Sequence, residues 1–145
     1  IFFFGGLFIL VGALVETGVI RMLAAEAIKA TGGDVEATAI LILWMSAFAS
    51  AFIDNIPFVA TLIPLIQDMG QMGLTNLDPM WWSLALGACL GGNGTLIGAS
   101  ANVVVASMSA QRGRPISFIG FMKIALPIMT FTIIISNIYI YIRYL

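Results

Sequence analysis

Thirty-three consecutive residues, Pro79 to Gln111, contain no Asp, Glu, Lys or Arg. An ordinary soluble domain, with roughly one residue in four charged, leaves no gap of that length. Two further stretches behave alike. Ile124 to Ile142 carries no charge, and Ala37 to Ile66 carries one, Asp54. A run of about 18 to 20 apolar residues is enough to cross a bilayer as a helix. Helix is also the one open-ended structure that satisfies its own backbone in lipid. The expected fold is therefore an all-α polytopic membrane protein. The chain's 9% of charged residues fits no soluble class.

Several functions fall away with that reading. Net charge is −1, so no basic face for nucleic acid is expected. There is no His, which removes imidazole as metal ligand, general base or pH sensor. Cys89 is the one cysteine, so neither an internal disulfide nor a paired-cysteine site is expected. It reads as a small buried hydrophobe. The chain opens on Ile1 inside an apolar run and is expected to be part of a longer protein, with no cofactor other than a bound sodium ion.

Four segments follow along the chain. Residues 1–36 read as a span, Ile1 to about Ile20, followed by a short interfacial helix, Arg21 to Ala30. In that helix Leu23, Ala24, Ala27 and Ile28 share one face, and Arg21, Glu26 and Lys29 the other. Glu16 reads as interfacial. Thr31-Gly32-Gly33 ends the arm and Asp34 caps the next helix. Residues 37–67 are too long for one plain span and break at Asp54-Asn55. Pro57 biases Ile56 away from helix and Pro64 removes a further donor. Two short limbs meeting at mid-depth make a re-entrant hairpin, tolerated where it lines an enclosed cavity. Gln67 to Asp78 reads as a loop, with Asp78 capping a helix that begins at Pro79. Trp81 and Trp82 suit an interfacial belt. Residues 79–111 form a discontinuous helix interrupted at Gly91 to Asn102, and 124–145 a last span anchored by Tyr139, Tyr141, Arg143 and Tyr144. With a hairpin, Arg21, Lys29 and Arg143 share one side and Arg112, Arg114 and Lys123 the other. If residues 37–66 cross instead, the count becomes five against one, which the positive-inside rule prefers. The compact Arg112/Arg114 pair marks its loop as cytoplasmic.

Asp54 is the first chemical candidate. A carboxylate at mid-membrane costs roughly 2.5 to 3.5 kcal/mol, so it faces a cavity or a partner. It either caps the second limb or binds a cation or proton, with Asn55 as a neutral oxygen or amide beside it. The glycine-rich break is the second. Gly87/Gly91 and Gly94/Gly98 have the spacing of close helix packing. Packing leaves Asn93, Thr95, Ser100 and Asn102 unexplained. An unwound stretch there frees carbonyls for a cation and leaves a half-helix N-terminus for an anion. Gly92-Asn93-Gly94 lacks the Lys-Ser/Thr of a phosphate loop.

Ser46 to Pro64, with its Asp54-Asn55-Ile56-Pro57 core, resembles the hairpin of the ion transporter superfamily. Gly87 to Val104, containing Gly92-Asn93-Gly94-Thr95 and Ser100-Ala101-Asn102, resembles its unwound helix. The superfamily includes arsenite pump membrane subunits, sodium/proton antiporters and citrate or dicarboxylate carriers, and the likeness is nearest its P-protein branch. The resemblance implies the C-terminal half of an elevator-type carrier with two inverted repeats, working as a homodimer, with Arg21 to Ala30 as the arm to a fixed scaffold. Asn55 carries over as the tip amide. Asp54 stands where the dicarboxylate branch has a neutral Ser, which favours cation or proton coupling.

The expected function is a secondary active transporter of an inorganic ion or small anion, coupled to sodium or protons. Ion coupling falls to Ser50, Asp54, Asn55, Gly92, Asn93, Gly94 and Thr95, with sodium at Asp54, Asn55 and Asn93. Asn55, Thr95, Ser100 and Asn102 are expected to line the substrate site. A passive anion channel on the same scaffold is the alternative. An intramembrane aspartyl protease would need a second mid-membrane Asp, which this sequence lacks.

Overall fold

The computed structural model describes residues 2–145, of which every regular element is helical. Ile1, where the first span was expected to begin, lies outside the described residues. The helices are α1 (Phe2–Glu16), α2 (Val19–Thr31), α3 (Val35–Ser50), α4 (Asn55–Gln71), α5 (Asp78–Gly91), α6 (Ser100–Gln111) and α7 (Phe118–Tyr144). Among the described residues, α7 is the one helix both long and apolar enough to cross a membrane unaided.

Local chemistry sets the boundaries. α1 stops at Glu16, short of the expected Ile20, where the Thr17 hydroxyl donates back to the Ala13 carbonyl at 2.8 Å. α2 turns Ile20 and Ala24 inward against Leu62, Leu65 and Ile66 of α4. Leu23, expected on that face, is instead exposed, because the buried stripe runs through Ile20, Ala24, Ala27 and Ile28. Lys29 and Glu26 pair on the outer side at 3.8 Å. Asp34 caps α3 by accepting from the Ala37 amide at 2.8 Å, satisfying one of the free donors of a helix start.

Three expected boundaries move. α4 runs on to Gln71, so the loop shrinks to residues 72–77. Met69 stays buried and the Leu74 amide folds back onto its carbonyl at 3.2 Å, so core contact outweighs the polar composition. Asp78 is the first residue of α5 rather than its cap, and no side chain caps that helix. α7 starts at Phe118, six residues before the expected Ile124. The Ser117 hydroxyl accepts from the Gly120 amide at 3.1 Å, and Lys123 is carried inside the helix. Cys89, expected to be buried, is exposed on the outer face of α5.

The core is organised around α3 and α5. A β-carbon on Gly87 would stand 2.5 Å from the Leu43 carbonyl oxygen and 2.8 Å from the Ser46 β-carbon, and one on Gly91 would overlap Ala47. Rising numbers meet rising numbers, so α3 and α5 run parallel at backbone contact, as small residues allow. α7 runs the other way. Trp82 near the start of α5 stacks on Tyr144 at 5.7 Å, and the Trp44 indole donates to Asn137 at 3.3 Å. Gly94, just past α5, meets the sulfur of Met129. α4 brings the chain back to the start of α5, closing the core cluster of Leu62, Leu65, Ile66 and Met69 with Met80 and Leu84.

Candidate functional site at two docked helix breaks

Both interruptions occur at the same level of the molecule. α3 ends at Ser50 and α4 begins at Asn55. Asp54 makes the restart possible: its backbone is extended and its carboxylate accepts from the Ile56 amide at 3.2 Å. Pro57 falls in the first turn of α4, where a missing N–H costs nothing. Ile56 is therefore helical, contrary to the bias expected from the following proline. The second interruption spans residues 92–99, between α5 and α6.

One break docks on the other. Thr95 is fully buried and its hydroxyl donates to the Ala51 carbonyl, at the loose end of α3. The same hydroxyl oxygen accepts from the Gly98 amide at 3.1 Å. One side chain thus serves a carbonyl at the end of α3 and an amide of the unwound stretch just before α6. Ser50, also fully buried, donates to the Ala88 carbonyl at 2.6 Å. Asn102 reaches back from the first turn of α6, donating to the Gly92 carbonyl at 3.1 Å and the Thr95 carbonyl at 3.0 Å. It ties the two ends of the unwound stretch together.

Gly98 sits where these strands of backbone converge. A β-carbon there would lie 2.8 Å from the Ala51 oxygen, 2.8 Å from the Gly92 oxygen and 2.9 Å from the Ser50 oxygen. Three carbonyl oxygens from two broken helices therefore pack directly against Gly98. Helix C-termini concentrate negative partial charge, so the ends of α3 and α5 favour a cation. The starts of α4 and α6 present the opposite sign, and the Ala99 cap of α6 uses no side chain. This is the division of labour that discontinuous helices offer to a cation and an anion.

The expected site residues fall into two sets. Ser50, Gly92, Thr95 and Asn102 are brought together, and Gly94 is buried beside them against Ala51 and Met129. The others stand apart. Asn93 is exposed and lines a groove with Ile116, Phe121 and Ile124 along the first half of α7. Asn55 is half-buried and lines a separate apolar groove with Ile56, Val59 and Ile63. Asp54 is half-buried with the Ile56 amide as its partner, and Ser100 is exposed at the first position of α6. Among the described residues no three of His, Cys, Asp and Glu gather as a metal cluster. Gly98 and the Ala51 carbonyl were not singled out from the sequence as site groups. The Gly94/Gly98 spacing was the available signal for the first; a backbone carbonyl leaves none.

Two interrupted, docked helices beside a span-length helix are the architecture of a membrane transport protein. The citrate transporter family model matches residues 1–87, and the chain belongs to that family, which comprises transporters and not enzymes. It is 49% identical to an uncharacterized transporter of Mycobacterium tuberculosis over 98% of this chain. It is 43% identical to the 46 kDa membrane protein of Mycobacterium leprae over 99% of this chain. Human P protein is 40% identical over 95% of this chain, which covers 17% of that protein. The chain spans about a third of the length of the mycobacterial relatives, 34%. No solved structure matches it.

Proposed function

We propose that this chain supplies one of two substrate- and ion-binding halves of a secondary active transporter that moves an inorganic ion or small anion, coupled to sodium or protons. The observation that carries the reading is the docking of Thr95 onto the Ala51 carbonyl. It joins two broken helices at the level of Met129, eleven residues into α7 and fifteen from its end. A 27-residue helix is about 40 Å long, so that level is near the middle of a bilayer it crosses.

In this reading residues 37–67 form a re-entrant hairpin and 79–111 a discontinuous span. The docked carbonyls of Ser50, Ala51 and Gly92 fix the end of α3 against the second break, and Asp54 and Asn55 hold the coupling cation at the hairpin tip. Sodium suits them because it takes neutral oxygens readily, and Asp54 adds one negative charge. Asn93 joins them if the tip rotates toward α7. Ser100 at the α6 N-terminus and Asn55 at the hairpin tip face the substrate, and buried Thr95 acts through the backbone it holds in place. Asn102 shapes that surface through the backbone it ties. A carboxylate substrate, as the family name suggests, matches the positive end of α6. Arm α2, an elevator movement, a second inverted repeat and a homodimer complete the proposal.

The test is ion-coupled flux by the full-length protein in liposomes. Asp54→Asn keeps the cap geometry but removes the charge, and it is expected to abolish dependence on the coupling ion while the protein stays folded. Unchanged ion dependence would sink the assignment. Flux that never saturates and shows no countertransport would favour a passive anion channel instead.

A further inference from the structure

We propose that the C-terminal turn of α6 is a binding site for the phosphate headgroup of an anionic phospholipid. All seven acidic residues lie in the first 78 positions, the last being Asp78. Residues 79–145 hold Arg112, Arg114, Lys123 and Arg143 and no carboxylate side chain. Among the described residues the one ion pair is Lys29 with Glu26, so neither Arg112 nor Arg114 has a carboxylate partner there.

The backbone holds the two arginines in place without using them. Gly113 adopts φ 76°, and its amide donates to the Ala110 carbonyl at 3.0 Å. The Arg114 amide donates to the Ser109 carbonyl at 3.0 Å, and the Ser109 hydroxyl to the Arg114 carbonyl at 2.5 Å. This closure of a helix end satisfies its last carbonyls with main-chain donors. The guanidinium groups are therefore not spent on capping. Both line one groove of about 450 Å³ with Ser109, Val105 and Met108.

Two guanidinium forks match phosphate oxygens in paired hydrogen bonds. A soluble anion would make no use of Val105 and Met108, which are 61% and 52% exposed on the same wall. A phospholipid uses both, with its phosphate at the arginines and its acyl chain along α6. α6 buries no residue against the rest of the chain, so none of this chain's own packing occupies that wall.

The test measures phospholipid retained by the purified full-length protein, by native mass spectrometry after exchange into mixed phosphatidylglycerol and phosphatidylcholine. Wild type is expected to keep phosphatidylglycerol preferentially. Each arginine removed is expected to weaken retention about five-fold, the effect of one basic residue near an anionic surface. R112Q/R114Q should therefore lose the preference, and R143Q, at the other end of α7, should keep it. M108E leaves both arginines, and hence membrane orientation, intact and should lose it too. Equal retention in wild type, R112Q/R114Q and M108E would overturn the proposal. So would inorganic phosphate that displaces the lipid and raises thermal stability equally, which would mark a soluble-anion site.

Discussion

At the scale of single residues, Thr95 and Gly98 hold the junction for opposite reasons, one by a group it has and one by a group it lacks. Thr95→Val keeps the shape and deletes the hydroxyl, leaving the Ala51 carbonyl and the Gly98 amide without a partner in a buried place. Each orphaned group costs about 1–3 kcal/mol. A clear drop in apparent Tm of the full-length protein is expected, with recovery in Thr95→Ser. Gly98→Ala drives a methyl into three carbonyl oxygens, and overpacking of that kind costs about 1–3 kcal/mol. It is expected to lower both Tm and transport, because the junction it distorts fixes the end of α3 beside the proposed ion site. The polarity of Thr95 and Asn102 in an apolar run was legible in the sequence as a sign of special duty. What each one bonds to was not, since the Ala51 carbonyl lies 44 residues from Thr95 and only packing brings them together. Asn93 shows the same gap. In an unwound stretch there is no 3.6-residue period to say where a side chain points, and it points along α7.

At the scale of elements, the seam between α3 and α5 is the most demanding contact. Gly87 and Gly91 let the backbones meet, so Gly91→Leu is expected to prevent stable folding rather than to tune it, checked by loss of a monodisperse peak on size exclusion. Ser46 and Ser83 lie in the same pair of helices with buried hydroxyls that have no hydrogen-bond partner among the described residues. An unpaired buried hydroxyl is a liability of about 1 kcal/mol or more. Ser83→Ala is therefore expected to hold or raise the apparent Tm. A fall would mean that the hydroxyl serves a group from another part of the full-length protein. Element positions were largely readable, because Asp54, Pro57 and the Gly92-Asn93-Gly94 run interrupt apolar stretches sharply. Ends governed by burial were less so. Gln67, Asp68 and Gln71 look like loop residues, yet α4 continues because Ile66 and Met69 are held in the core. The pairing of α3 with α5, parallel and at glycine contact, is a tertiary choice that the GxxxG spacing allowed without naming the partner.

At the scale of the whole molecule, the directions of the helices bear on the question that charge counting left open. α3 and α5 start at one end, α7 finishes there, and α4 returns the chain to that end through the short 72–77 link. α3 has 16 residues, about 24 Å, which is short of a bilayer core of about 30 Å. α7, about 40 Å long, carries its own start to the opposite end, and six residues join that start to the end of α6. Glu36 and Thr75 should then face one side of the membrane, and Gln111 the other. All three are exposed, so each accepts a cysteine after Cys89 is replaced by alanine. Labelling of the full-length protein with a membrane-impermeant maleimide in oriented vesicles should modify E36C and T75C from the same face and Q111C from the opposite one. If residues 37–66 cross the bilayer, E36C and T75C will label from opposite faces, and the arginine count of five against one will have been the better guide. The same experiment bears on transport. A segment that enters and leaves on one side can carry its tip with the docked carbonyls of Ser50 and Ala51 as a single body.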